Sequence, residues 1–157
     1  MKKAVIIMLF GLGLSAQAQS YEKVTEINIR PITLLQGVIN AGLEIRTSKH
    51  ASVLFDVGAG NNLYMDNAFQ FTVLIGGRVY LGQEMEGVYG TFRQRFRWSD
   101  EYSGNTNFMF GKKFVILDKI TASVEVGVGR QSQFDSEFPL ILPTWAVTLG
   151  YRIDQSK

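Results

Sequence analysis

Apolar residues alternate with small or polar residues along most of the chain, with a period of two. The pattern is clearest from Ile120 to Gly129, where Ile, Ala and Val occupy the even positions and Thr, Ser, Glu and Gly the odd ones. A period of two places successive side chains on opposite faces of an extended strand. Glycine on the polar face makes room for large neighbours when that face lines a narrow barrel. The pattern therefore predicts an all-β, antiparallel up-and-down transmembrane β-barrel.

Breaks in the alternation divide the chain into about eight predicted strands. Pro31 interrupts the first of them and predicts a bend or a change of register there. The second, fourth and sixth connections are short, whereas the third, fifth and seventh, at 61–67, 99–105 and 132–143, are longer and rich in turn-forming residues. Outer-membrane barrels have short periplasmic turns and longer external loops, so we expect the short connections to be periplasmic. The predicted strands cover residues 26–36, 38–47, 51–60, 68–80, 86–98, 106–116, 120–131 and 144–153.

The first 18 residues have the pattern of a secretory signal peptide. Lys2 and Lys3 precede an apolar run at 4–14, which is followed by the small-residue sequence Ala16-Gln17-Ala18. We expect cleavage after Ala18, which leaves residues 19–157 as one barrel domain exported to a Gram-negative outer membrane. A short N-terminal membrane anchor is the alternative, but the run falls well short of the ~20 residues that a spanning helix needs.

Charge and cysteine content exclude several classes of protein. The chain has 16 Lys and Arg and 14 Asp and Glu residues, and the leader accounts for two of the lysines and no acid. The expected mature chain is therefore electrically balanced, and nucleic acid is not an expected partner. There is no cysteine, so the chain has neither a disulfide framework nor a thiolate metal site.

The sequence offers no catalytic pattern. The single histidine, His50, falls in a short predicted periplasmic turn, whereas hydrolysis at the outer leaflet would need a nucleophile and a base at the opposite end of the barrel. No HExxH, P-loop or calcium-loop signature is present. We therefore expect no enzyme activity, no catalytic residues, no metal and no cofactor.

Charged residues on the polar face are candidates for the interior of the barrel. An eight-stranded barrel is filled by its own side chains, and buried charges must be paired. We therefore expect a structural network in the lumen, while the excess of arginine leaves a narrow anion conduit or an anionic ligand site as the alternative. The predicted lumen charge network consists of Glu44, Arg46, Asp56, Arg78, Arg93, Arg95, Arg97, Glu125 and Arg152.

Aromatic residues near predicted strand ends are candidates for the membrane interface, where amphipathic rings are favoured. Two polar residues, Gln94 and Lys112, fall on the lipid-facing parity, although a lysine near the bilayer midplane costs about 2 to 4 kcal/mol. A β-bulge or a position close to the interface would relieve that cost. The predicted interface aromatics are Tyr80, Trp98, Tyr102, Trp145 and Tyr151.

Three parts of the chain carry a resemblance to a known family. They are the leader, the opening segment 27–60, with Gly42-Leu43-Glu44-Ile45-Arg46 and Asp56-Val57-Gly58, and the closing Leu149-Gly150-Tyr151-Arg152-Ile153. Together they resemble small outer-membrane β-barrels of unknown function, with an eight-stranded domain of OmpA or OmpX type. The resemblance implies contact with outer-membrane lipid, lipopolysaccharide and the barrel assembly machinery, and external loops able to meet a surface partner.

These observations favour a non-enzymatic barrel with a structural, adhesion or surface-interaction role. The alternative is a soluble periplasmic barrel of lipocalin type, which would turn the Val, Ile and Phe face inward to bind an apolar ligand. The apolar segment 134–142 is expected to plug the mouth, to extend a strand or to contact a partner.

Overall fold

The computed structural model describes residues 24–63, 68–82, 85–99, 102–133 and 140–154. The predicted leader and most of the segment 134–142 lie outside these ranges. The described residues form eight strands and one short helix, α1, at Pro31–Leu35. The strands are β1 (Val24–Ile29), β2 (Val38–Arg46), β3 (Ala51–Asn62), β4 (Ala68–Tyr80), β5 (Gly87–Trp98), β6 (Tyr102–Leu117), β7 (Ile120–Gln133) and β8 (Leu140–Asp154).

The strands form one closed antiparallel barrel. Each strand pairs with its neighbours in sequence, and β1 pairs with β8 to complete the ring. Closure leaves no sheet edge with unpaired backbone groups. The predicted all-β, up-and-down fold with eight strands is therefore confirmed.

The strands are staggered around the barrel. The pairing can be followed around the barrel from Thr25, by stepping from each residue to its direct partner on the next strand. This path reaches β8 at Pro143, whereas Thr25 itself pairs with Ile153 of β8. The ladder thus advances by ten residues in one circuit, which requires strands tilted against the barrel axis. The interior of an eight-stranded barrel of this kind is just wide enough to be filled by side chains.

The first predicted strand is too long. The prediction ran over 26–36, but β1 ends at Ile29 and Pro31 begins α1. Proline has a fixed φ and no N–H group, so it fits the first turn of a helix better than the middle of a sheet. The bend expected near Pro31 is present.

No helix among the described residues is long and apolar enough to cross a membrane.

Two ends of the barrel can be distinguished. The termini end contains the start of β1, the end of β8 and the connections 47–50, 81–86 and 118–119. The loop end contains α1 and the connections 63–67, 99–101 and 134–139. The fifth and seventh connections are shorter than predicted, because β6 begins at Tyr102 and β8 at Leu140, both earlier than expected. The two ends therefore differ less in connection length than the sequence indicated.

The apolar parity of the strands points outward and the polar parity points inward. Phe110 is 72% exposed and Val126 is 60% exposed. Among the described residues, 17 polar or charged residues are buried against seven hydrophobic ones, which inverts the usual distribution of a water-soluble domain. Inward glycines make room for the charged side chains: a Cβ atom on Gly150 would lie 2.6 Å from the carboxyl carbon of Glu26.

Candidate functional site in the lumen

The carboxylate of Glu44 lies fully buried in the lumen and accepts four hydrogen bonds. One oxygen accepts from the hydroxyls of Ser52 and Tyr80, each at 2.5 Å. The other accepts from Nη1 of Arg78 at 2.5 Å and from Nζ of Lys113 at 2.7 Å. Four donors from β3, β4 and β6 thus converge on one acid of β2.

Arg78 connects this acid to a second one, Glu125. Its Nη2 donates to Oε1 of Glu125 at 2.7 Å, while Nη1 of Arg93 donates to Oε2 at 2.7 Å. The planar, forked guanidinium of arginine can contact two carboxylates at once, which the ammonium of lysine does with less directional control. Arg78 is therefore the link between the acids of β2 and β7.

Glu26 joins the same set through Lys113. The ammonium of Lys113 donates to Oε1 of Glu26 at 2.9 Å as well as to Glu44. Nε of Arg152 lies 3.8 Å from the other oxygen of Glu26, across the pairing of β1 with β8. The ion pairs therefore extend to the strands where the barrel closes.

We call Glu26, Glu44, Arg78, Arg93, Lys113 and Glu125 the central network. It contains three acids and three cations, so its formal charge is zero, and its side chains are at most 2% exposed. Its members come from β1, β2, β4, β5, β6 and β7. Burying such charges is tolerable only because each finds a partner.

An apolar cluster lies beside the central network at the termini end. Tyr80 and Tyr89 pack with ring centroids 5.1 Å apart, and Met85 is buried against them. Met85 has a positive φ of 51°, which turns the chain between β4 and β5. Arg152 holds this turn by donating from Nη2 to the carbonyl oxygen of Met85 at 3.1 Å. Met85, Tyr80 and Tyr89 therefore form a stopper at this end of the lumen.

A row of arginines runs from the central network toward the loop end. Arg93, Arg95 and Arg97 alternate along the inward face of β5, and we call them the arginine ladder. Arg93 is buried, whereas Arg95 and Arg97 are half-buried. Next to them, the buried guanidinium of Arg30 pairs with Asp56.

The structure brings most of the predicted lumen charges together. Glu44, Arg78, Arg93 and Glu125 belong to the central network, Asp56 pairs with Arg30, and Arg95 and Arg97 belong to the arginine ladder. Arg46 and Arg152 lie half-buried at the termini end, where Arg46 donates from Nε to the carbonyl oxygen of Ser48 at 3.2 Å.

Three further lumen charges, Glu26, Arg30 and Lys113, were not named from the sequence. The register near Glu26 and Arg30 was obscured by Pro31. Lys113 had a usable signal, because its neighbour Lys112 was already assigned to the outward parity.

Two of the predicted interface aromatics do not lie on the outer face near a strand end. Tyr80 is 1% exposed and donates its hydroxyl proton to Glu44 inside the lumen, so its assignment to the interface was wrong. The ring of Trp145 does face outward, but β8 begins at Leu140, which places this residue inside the strand rather than at its end.

The other three aromatics lie on the outer face near strand ends. Trp98 ends β5 and Tyr102 begins β6, with their ring centroids 5.7 Å apart, and Phe71 lies 5.7 Å from Trp98 on the other side. Tyr151 is exposed near the termini end. An aromatic cluster therefore marks the loop end.

The two polar residues that the sequence assigned to the apolar parity, Gln94 and Lys112, do point outward. Lys112 is exposed, and its Nζ lies 5.1 Å from the ring centroid of Phe114. The side-chain carbonyl of Gln94 accepts a hydrogen bond from the hydroxyl of Thr106 on the next strand. Gln94 is thus partly satisfied by its neighbour.

His50 lies exposed in the turn at 47–50, with Nδ1 3.0 Å from the carbonyl oxygen of Gly82. No group of three or more His, Cys, Asp or Glu side chains in the described ranges is arranged to hold a metal ion.

Comparison with known proteins adds no assignment. No protein-family model matches the chain, and neither a curated protein nor a solved structure matches it significantly.

Proposed function

We propose that this protein is an integral barrel of a Gram-negative outer membrane, with a structural, adhesion or surface-interaction role and no catalytic activity. The observation that carries the proposal is the inverted polarity: a belt of Val, Ile, Leu and Phe outside and paired charges inside. In this orientation the termini end faces the periplasm and the loop end faces the exterior.

The apolar belt on the outer face of the barrel is energetically unfavourable in water and favourable in the hydrocarbon of a bilayer. Exposed apolar surface costs roughly 25 cal/mol per Å², and soluble proteins rarely expose contiguous patches above a few hundred Å². A closed barrel also satisfies its backbone groups internally, as hydrocarbon requires. The lumen offers charge rather than an apolar cavity, which argues against the lipocalin-type alternative.

The aromatic residues support the same orientation. Phe71, Trp98 and Tyr102 form a cluster at the loop end, and Tyr151 lies near the termini end. Aromatic rings at both ends of an apolar band are typical of transmembrane barrels.

The packed lumen argues for a surface role rather than transport. The central network and the stopper fill the part of the interior near the termini end, so a steady conduit is not favoured. The partners of such a barrel are membrane lipid and lipopolysaccharide, the assembly machinery that inserts it, and a surface partner that meets the connections of the loop end.

Cell fractionation combined with a gel of unheated and boiled samples tests the proposal. We expect the protein in the outer-membrane fraction, and we expect a folded band that shifts only on heating. Recovery in the soluble periplasmic fraction would contradict the membrane assignment, and tight binding of an apolar ligand there would support the lipocalin-type alternative.

A further inference from the structure

One hydrogen-bonded pair of polar side chains lies on the apolar outer face of the barrel. Gln94 of β5 and Thr106 of β6 are direct partners across the two strands, and the hydroxyl of Thr106 donates to the side-chain carbonyl of Gln94. Gln94 lies four residues before Trp98, where β5 ends. Strands rise about 3.3 Å per residue and are tilted, so Gln94 lies roughly 10 Å below Trp98, inside the apolar belt.

The side-chain amide of Gln94 retains unused hydrogen-bonding capacity. Its two N–H groups donate to no other described residue, and its oxygen accepts from Thr106 through one of two lone pairs. Phe96 and Trp98, with ring centroids 6.2 Å apart, lie on the same face between this amide and the connection at 99–101. Acyl chains contain no acceptor, so in hydrocarbon the amide is satisfied only by another protein group.

The two outward cations, Lys112 and Arg130, differ from Gln94 in this respect. Lys112 lies five residues from the end of β6 and Arg130 three residues from the end of β7, and both are exposed. Their long side chains can extend along the barrel to the membrane surface. The shorter side chain of Gln94 is further from either surface, so its amide stays in the apolar belt.

The outer face around Gln94 combines hollows with protruding rings. Gly77 of β4 and Gly90 of β5 lie on the outward parity, where an added Cβ atom would come no closer than 3.6 Å and 3.9 Å to a residue other than a chain neighbour. Packing within the barrel therefore does not require glycine there. Phe92 pairs directly with Gly77 and packs on Phe108, with ring centroids 4.9 Å apart, and both rings are exposed. Small residues beside large ones allow two membrane surfaces to approach closely.

We call this surface the Gln94 face; its residues are Gly77, Gly90, Phe92, Gln94, Thr106 and Phe108.

We propose that the Gln94 face joins two copies of the chain into a two-fold symmetric dimer within the bilayer. A primary amide carries both donors and an acceptor, so two Gln94 side chains related by a two-fold axis donate to each other reciprocally. A second copy supplies this complementary amide by symmetry. The rings of Phe92 and Phe108 on one copy then cover the hollows at Gly77 and Gly90 on the other.

The dimer rests on the proposed membrane location, because the unused amide is costly only where water is excluded. It adds a defined partner, a second copy of the chain, to the structural role of the barrel. The contact lies on the outer face, so it leaves the central network and the connections of the loop end unchanged.

Energy transfer between labelled copies in lipid vesicles tests the dimer. The purified folded protein is labelled with donor or acceptor fluorophores at Asp118→Cys, in an exposed turn, and the two preparations are mixed. We expect transfer that saturates as the ratio of protein to lipid rises, with one copy bound per copy.

Two variants of the Gln94 face should weaken the dimer at least tenfold. Gln94→Leu removes the amide, and its folded gel band should survive to an equal or higher heating temperature, because the monomer then exposes only apolar groups to lipid. Gly90→Leu fills a hollow. The matched control is Ala41→Leu, which makes a similar enlargement at an exposed position of β2 and should leave the dissociation constant unchanged within twofold.

Disulfide cross-linking in vesicles locates the contact. Ile75 pairs directly with Gln94 on β4, whereas Ile27 lies on the outer face of β1, which is opposite β5 in the ring. Mild oxidation should give a covalent dimer of Ile75→Cys and leave Ile27→Cys monomeric. Equal cross-linking of the two variants would overturn the proposed interface.

Flotation with the vesicles and the heat-shifted gel band separate the possible failures. A wild-type protein that floats, is folded and shows no saturable transfer would overturn the dimer and leave the membrane proposal intact. A protein that does not enter vesicles would contradict the membrane location and the dimer together. Unchanged association of Gln94→Leu would also overturn the interface, as would an equal loss in Ala41→Leu. If Gln94→Leu does not fold, Gly90→Leu decides: unchanged association overturns the interface and weakened association supports it.

Discussion

Nζ of Lys113 lies 2.7 Å from Oε2 of Glu44, although the two residues are 69 positions apart in sequence and their strands are not adjacent in the barrel. The contact crosses the lumen, so it depends on the whole ring of strands rather than on one hairpin. It also contrasts with the neighbouring Lys112, which points out of the barrel.

This contrast allows a matched pair of substitutions. Lys113→Met should destabilise the folded barrel by about 3 to 5 kcal/mol, because Glu26 and Glu44 lose a buried partner. Lys112→Met should be neutral or stabilising in a bilayer, since it removes a charge from the outer face. The measurement is unfolding by urea in lipid vesicles. Equal effects of the two changes would contradict the assignment of opposite faces.

Removing the acid of β7 tests whether the lumen is held closed by its charges. Glu125→Gln leaves Arg78 and Arg93 without their shared carboxylate, which typically costs about 3 to 5 kcal/mol for a buried pair. We expect the folded gel band to disappear at a lower heating temperature, with no steady current in planar bilayers. Asp118→Asn, in an exposed turn, is the control and should change neither. A stable Glu125→Gln variant that conducts anions would favour the conduit.

A charge introduced on the outer face should destabilise the folded barrel strongly at mid-strand and only slightly near a strand end. Val126→Arg should destabilise the barrel in a bilayer by roughly 2 to 4 kcal/mol, whereas Leu81→Arg, in a connection at the termini end, should cost about 0 to 1 kcal/mol. Folding into vesicles, followed by urea unfolding, measures both. If Val126→Arg is as mild as Leu81→Arg, the outer face is in contact with water.

The two tryptophans of the chain report membrane depth directly. Both face outward, with Trp98 at the loop end of β5 and Trp145 inside β8. Trp145→Phe leaves Trp98 as the single tryptophan, and Trp98→Phe leaves Trp145. Lipids brominated deep in the acyl chain should quench the fluorescence of Trp145 more strongly, and lipids brominated near the headgroup should quench that of Trp98 more strongly. Absence of quenching by either lipid would place the barrel outside the bilayer.

Orientation can be tested by labelling, because the chain contains no cysteine. Ser99→Cys lies at the loop end and Asp118→Cys at the termini end. A membrane-impermeant maleimide added to intact cells should label the first and spare the second until the cells are broken. The reverse pattern would invert the topology.

The period-two pattern was sufficient to predict the fold. In β7, polarity alternates without interruption from Ile120 to Gly129, and the predicted and observed strands both begin at Ile120. The pattern failed at Pro31, where a helical turn replaced the end of the first strand. Alternation describes side-chain direction, so it gives no warning where the backbone leaves the sheet.

The candidate site was harder to predict because charge partners are set by the stagger between strands. Glu125 was assigned to the lumen from parity alone, but its contacts with Arg78 and Arg93 depend on registers that a single strand does not encode. Tyr80 has an aromatic side chain of the kind found at membrane interfaces, but it lies on the inward parity of β4. Parity predicted the direction of its side chain better than residue type did. The burial of Met85 had no signal in the sequence, since it lies in a connection.

The central network draws its six members from six different strands, and this has a consequence for how the barrel is made. A hairpin of β6 and β7 that enters hydrocarbon alone carries Lys113 and Glu125 without their partners from β1, β2, β4 and β5. Insertion of one hairpin at a time would therefore expose ionic groups to lipid, which is strongly unfavourable. In the proposed membrane location, the eight strands would have to come together before or during insertion, so that the charges of the central network are paired before they meet lipid.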